Sequence, residues 1–282
     1  MANTTGKANL PPILRAPVEI RLLIYQHLLV ARTNTTPNKY DYHEYEKSSR
    51  VRQNLDYFLS FRNAPCFKSK NGEILHRSTH MVRHRMYGAC TPVMYKCINN
   101  PGIDASILSA NRQIYHEASE ILYGTYTFDF DTHIEACVPF MTDRTPSSRD
   151  WIRGVSIVKR ALPYDKVFDQ CEWADMCLVL SSMLALTQLS LGVVAGKPMA
   201  GWGGIKALQK HHFQNLIPRM DRLEWIEDLA KIKGLKQLDI RACVEHCQPP
   251  VSEGLHFFVA FSASIEAGFS EYLTERLIEQ RA

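Results

Sequence analysis

In Leu186-Thr187-Gln188-Leu189-Ser190-Leu191, three leucines stand at i, i+3 and i+5 with polar residues between them. The last two share one face of an extended chain, since side chains alternate along a strand. Ile152-Arg153-Gly154-Val155-Ser156-Ile157 and Leu235-Lys236-Gln237-Leu238-Asp239-Ile240 repeat the pattern. The copies start at 152, 186 and 235, so the period is irregular. Each has residues of helical spacing before it: Ile134, Cys137, Val138 and Met141; Trp173, Met176, Cys177 and Leu180; Leu223, Ile226 and Leu229. Lys233-Gly234 supplies a turn before the third. Helix, turn and three-point strand in succession predict parallel strands joined by crossover helices.

The third copy also decides a membrane question. Met176 to Gly196 carries no formal charge and has the length of a membrane span. In the third copy, however, Lys236, Gln237 and Asp239 hold the positions of Thr187, Gln188 and Ser190. A segment with such an equivalent reads as a strand, and no membrane helix is expected.

Upstream, Ile107, Leu108, Ile114, Tyr115, Ala118, Ile121 and Leu122 predict a helix over 106–123. Asp104 or Ser106 caps it and Gly124 takes the C′ position. Tyr126, Phe128 and Phe130 alternate with Thr127 and Asp129, which predicts a strand with its acids toward solvent. A shorter helix is expected over 18–29, with Pro17 at its start and Leu10-Pro11-Pro12 as an extended lead-in. Ile20, Leu23, Ile24 and Leu28, with His27, form its apolar stripe, and Ile20, Ile24 and Leu28 are expected to pack on the helix of Ile107–Leu122. Residues 31–102 are polar and aperiodic apart from apolar patches at 55–61 and 93–98, and read as a partly ordered insertion. The chain closes on a helix over 264–280, with Ile265, Phe269, Tyr272, Leu273 and Leu277 inward.

Composition narrows the class. The 282 residues are 45% hydrophobic and 22% charged, which suits a packed core, and the formal net charge of +4 does not call for nucleic acid. The N-terminal stretch has no apolar signal core, so the 8 cysteines, none in a C-x-x-C pair, are expected to be reduced core thiols in the cytoplasm or nucleus.

Two segments are familiar. Leu10-Pro11-Pro12, then Pro17, Glu19-Ile20-Arg21 and Ile24-Tyr25, resemble the opening of fungal F-box-like domains. Ile107-Leu108, Asn111-Arg112-Gln113-Ile114-Tyr115-His116-Glu117-Ala118 and Leu122-Tyr123-Gly124 with Phe128 resemble their second signature. The resemblance implies a small helical head that binds the Skp adaptor of a cullin ubiquitin ligase. Carried onto this chain, the contact residues are Leu10, Pro11, Ile20, Ile24 and Leu28. A classical head is one continuous segment, whereas residues 31–102 interrupt this one. The body resembles irregular leucine-rich repeats, although the expected Asn or Cys position and constant period are missing.

Other chemistry is weaker. Gly192 to Lys197 is a residue short of a phosphate loop and has Pro198 at the magnesium-binding position. Asp129 and Asp131 are too few oxygen ligands for a hard cation. His76, His80 and His84 would align on a helix, but no acid or Cys completes a site. Cys243, His246 and Cys247 do not have a zinc spacing. No nucleophile elbow, metalloprotease or dinucleotide fingerprint occurs.

The expectation is an α+β fold. An F-box-like head spans 1–130 with its insertion at 31–102, and a helix–strand body with a C-terminal helix spans 131–282. The function expected is an intracellular protein-interaction module, neither enzyme nor membrane protein, without cofactor or metal. Its partner would be a protein such as a Skp-type adaptor. Two other readings stand beside it: an orphan binding protein with a wholly buried first helix, and an enzyme with an unrecognised site.

Overall fold

A computed structural model describes residues 11–30, 58–65, 79–83, 90–98, 103–130, 134–161, 169–195, 206–220, 223–243 and 253–279. Leu189 pairs with Val155 on one side and Leu238 on the other, and Leu191 pairs likewise with Ile157 and Ile240. The three apolar copies thus lie in register, as strands β5 (Gly154–Arg160), β6 (Gln188–Val194) and β7 (Gln237–Cys243). They run parallel, and β4 (Thr127–Asp129) joins β5 in the same sense. Lys233-Gly234 turns as expected: Gly234 has φ 97°, a left-handed conformation that favours glycine.

The sheet is larger than the repeats imply. Residues 31–102 contribute β1 (Phe58–Pro65), β2 (Thr79–Arg83) and β3 (Cys90–Ile98), giving the order β2-β3-β1-β4-β5-β6-β7. β1 is parallel to β4, and β3 is antiparallel to both β1 and β2. Of the expected apolar patches, residues 58–61 of the first fall on β1 and residues 93–98 fall on β3; the start of the first patch, 55–57, lies outside the described residues. β4, before residue 130, pairs with β5 after it, so the sheet spans head and body alike.

Helices connect the parallel strands. Between β4 and β5 lie α4 (Cys137–Thr142) and α5 (Pro146–Arg149); α6 (Asp169–Ser181) precedes β6; α7 (Lys210–Leu216) and α8 (Glu224–Leu229) precede β7. Phe128 meets Phe140 of α4, and the Lys159 ammonium lies 5.3 Å over the Trp173 ring of α6. The pleat therefore turns Val155, Ile157, Leu189, Leu191, Leu238 and Ile240 to this helical layer as well. The inward face of α6 is Trp173, Met176, Cys177 and Leu180, all fully buried. Burial pushes the thiols of Cys137 and Cys177 up, as expected of inert core cysteines. The uncharged stretch 176–196 divides into the end of α6 and strand β6, and no helix among the described residues is long and apolar enough to cross a membrane.

The C-terminal helix α9 (Glu253–Ser264) is followed by a kink at Ala267, whose backbone is not helical (φ −127°, ψ −113°), then by α10 (Ser270–Thr274) and a wide turn at Glu275–Glu279. Phe213 of α7 meets Phe261 and Phe269, and Trp225 of α8 meets Phe269. Glu266 accepts a hydrogen bond from the Ala242 amide on β7 at 3.0 Å.

Several local expectations fail for physical reasons. Asp129 and Thr127 are buried, not solvated, because β4 has a strand on each side and inner parallel strands are covered on both faces. The 106–123 helix is two elements. Asp104 caps a 3₁₀ turn (Ala105–Ser109), and Asn111, accepting from the Gln113 amide at 2.8 Å, starts α3 (Arg112–Thr125). Gly124 lies inside the last turn of α3, not beyond it. His80 lies on strand β2, so no helix aligns it with His76 and His84, which fall outside the described residues.

Candidate functional site

The head is built on α2 (Val18–Leu29), preceded by a one-turn helix α1 (Pro12–Arg15). Proline at the first position of α1 suits a turn whose first amides have no helical partner. Two other groups hold the far end of α2. The Asp104 amide donates to the Leu28 carbonyl at 2.9 Å, and the Tyr126 hydroxyl donates to the Leu29 carbonyl at 2.6 Å. The last turn of a helix leaves such carbonyls without intrahelical partners.

A polar clamp sets the rotation of α2. Arg21 donates to Glu117 of α3 through both Nε (2.9 Å) and Nη2 (2.6 Å), and through Nη1 to the Ala16 carbonyl at 2.7 Å. The Tyr25 hydroxyl donates to the same carboxylate at 3.1 Å, and the Gln113 amide adds a bond at 2.9 Å. Arg21, Tyr25 and Leu29, at i, i+4 and i+8, are the buried residues of α2. These bonds, the Arg21 bonds foremost, hold the Glu117 carboxyl down at about 2, against an ordinary 4.5.

With Arg21 and Tyr25 inward, the apolar stripe turns outward. Leu23 is 60% exposed, Ile20 47% and Ile24 37%, and Val18 is exposed beside them. This corrects the expected packing of Ile20 and Ile24 on the second helix: the face that α2 buries is Arg21, Tyr25 and Leu29, one ion-paired to α3 and two fully buried. His27 is exposed too, while Leu28 is half-buried against the core. Pro11 is exposed, and Leu10 lies outside the described residues. Leu23, Gln26 and His27 of α2, Val30 just beyond it, and Ile121 and Thr125 of α3 line an open groove of about 570 Å³.

Both signature segments thus gain a structural meaning. Arg21 and Tyr25 of the first meet Gln113 and Glu117 of the second, and Asn111 caps the helix that carries them. Sequence reasoning had listed Arg21, Tyr25 and Glu117 only as motif letters. The available signal was an arginine and a glutamate, each within an apolar helical pattern, that could pair across the interruption.

Removing the acid leaves the Arg21 charge and the Tyr25 hydroxyl without it. Glu117→Ala is expected to cost about 2 kcal/mol at neutral pH, below the full figure for a broken buried pair because the site is part-exposed. The folded carboxyl is depressed, so its contribution is complete above the ordinary value of 4.5 and is lost as pH falls toward 2. Urea unfolding of both proteins from pH 7 to pH 2 checks this; the gap between them should close on the acid side.

The other sequence candidates do not assemble. Asp129 is buried in β4 and Asp131 lies outside the described residues. Gly192 lies within β6, and the rest of the loop-like motif, 196–198, is outside. Cys243 ends β7, while His246 and Cys247 are outside. His116 is exposed on α3, edge-on to Tyr115 at 5.9 Å. Among the described residues, no three His, Cys, Asp or Glu side chains gather as metal ligands.

The opposite face of the sheet from the helices is the second polar region. Asp129, Ser156, Ser190 and Asp239 form one register row across β4 to β7. Ser190 donates to Asp239 at 3.3 Å. Burial pushes the Asp239 carboxyl up, opposed by Ser190 and by Arg241. No family model, curated protein or solved structure matches the chain.

Proposed function

We propose that the chain is an F-box-like docking protein whose α2 binds a Skp-type adaptor of a cullin ubiquitin ligase, in the cytoplasm or nucleus. The observation that carries this reading is the clamp. Arg21, Tyr25 and Glu117 hold α2 so that Ile20, Leu23 and Ile24 face outward. Residues at i, i+3 and i+4 on one exposed helix face are the anchors used when a helix enters a partner's groove. The resemblance to F-box-like heads names the partner, and Ile20 and Ile24 are among the contacts that it implies. Of the other implied contacts, Pro11 is exposed, whereas Leu28 packs on the core. The body of helix–strand units, resembling an irregular leucine-rich repeat, serves in this reading to hold the substrate.

The test is size-exclusion co-elution of the protein with a fungal Skp adaptor, beside Ile24→Asp. The wild type should form a complex. The variant should bind about thirtyfold more weakly, as expected for a hot-spot anchor, with an unchanged circular dichroism spectrum and Tm because Ile24 is exposed. No complex from folded wild type, or equal binding by the variant, overturns the proposal.

A further inference from the structure

Arg241 lies on β7, facing away from the helices, and is only 8% exposed. Its Nε is buried without a hydrogen-bond partner, and its guanidinium forms no hydrogen bond or ion pair among the described residues. A buried N–H without an acceptor costs free energy, so the Nε side of the guanidinium is disposed to take one. Two residues earlier on the same face, Asp239 is half-buried and, among the described residues, accepts a hydrogen bond from the Ser190 hydroxyl. Arg241 and Asp239 feel each other's charge but do not form an ion pair. In the next position of the row, the Ser156 hydroxyl is fully buried and also lacks a partner.

One wall beside this group is apolar. Gly192 pairs with Arg241 across β6 and β7. A Cβ on Gly192 would meet the Cys243 sulfur at 2.7 Å and Val158 Cγ2 at 2.9 Å, so these two side chains close over the glycine. The other charge nearby is Glu266, which also acts on Asp239 and is engaged by the Ala242 amide.

We infer that Arg241 and Asp239 form a subsite for a small zwitterion, an α-amino acid, with carboxylate on Arg241 and ammonium on Asp239. A free oxyanion fits less well. A phosphate dianion would lie beside Asp239 and Glu266, and like charges at that range repel. A lone cation would leave Arg241 as it is. An amino acid brings both charges, adds no net charge, and satisfies the planar fork of the guanidinium with two parallel hydrogen bonds. Ser156 and Ser190 offer hydroxyls to the same molecule, and the Val158–Cys243 wall favours a short side chain.

The experiment is thermal unfolding of the full chain with glycine, L-alanine or L-serine. Acetate and ethylammonium at matched ionic strength serve as single-charge controls. At least one amino acid should raise Tm saturably, by about 3 °C at about ten times its half-saturating concentration, and the controls should not. Arg241→Met should stay folded, because it removes a buried donor that lacks an acceptor and keeps an apolar stem of similar length, and should lose the response. Asp239→Asn should weaken it. Absence of any saturable shift, an equal shift with acetate, or an undiminished shift in Arg241→Met overturns the inference. The adaptor complex is assayed separately, so the two readings fail independently.

Discussion

Trp173→Ala should remove about 4 kcal/mol of stability, within the range for truncating a buried tryptophan. Trp173 is fully buried at the centre of the helical layer, edge-on to Trp225 with ring centroids 5.6 Å apart. Its indole N–H donates to the Trp225 carbonyl at 2.8 Å, and the Lys159 ammonium rests over its ring. Truncation therefore acts three ways. It opens a cavity between α6 and the sheet, leaves the Trp225 carbonyl without its donor, and strips the π face from a lysine that is itself buried. Urea unfolding should show a lower midpoint with an unchanged slope. Trp173→Phe, which keeps much of the volume but loses the N–H, should recover more than half of the loss.

Gly268→Ala should cost about 3 kcal/mol, the upper part of the range for overpacking. Gly268 lies just after the kink at Ala267, against the residues that lead into α7. A Cβ there would strike the Leu208 carbonyl oxygen and the backbone of Gln209. Backbone cannot swing aside as a side-chain tip can, so the C-terminal helix must lift from α7. That movement separates Phe269 from Phe213, whose ring centroids are 5.3 Å apart, and strains the Lys210–Glu275 ion pair at 2.8 Å. The signature is a lower Tm with a reduced near-ultraviolet dichroism signal from the aromatic cluster. A wild-type Tm in Gly268→Ala would show that the turn accommodates a methyl group.

Much of the parallel sheet was legible because its information is local. Three apolar triads of equal internal spacing define three strands, and the structure aligns them residue for residue, Val155 with Leu189 with Leu238. The first helix was legible in its limits, 18–29, but not in its rotation. Apolar periodicity assigns Ile20 and Ile24 inward, and only the partner of Arg21, 96 residues further along, reverses that. Asp129 was misjudged for a similar reason: alternation reports polarity, while burial depends on how many strands flank β4. The strands at 58–65 and 90–98 were legible only as apolar patches and the strand at 79–83 not at all, since their pairing joins segments that no local period connects. The apolar face of α2 is therefore a property of two distant motifs read together, and neither motif alone reveals it.

The bond from the Ala242 amide to Glu266 also bears on self-association. β7 ends the sheet, and an uncovered edge strand is a template on which another chain can pair. Here one outward amide is occupied by a carboxylate from the element that folds after it. A charged side chain on the rim leaves an incoming strand facing an exposed negative group in place of a free donor. During synthesis β7 precedes that helix, so the edge goes unguarded until the C-terminal segment docks, and the last helix protects the sheet from aggregation as well as completing its core.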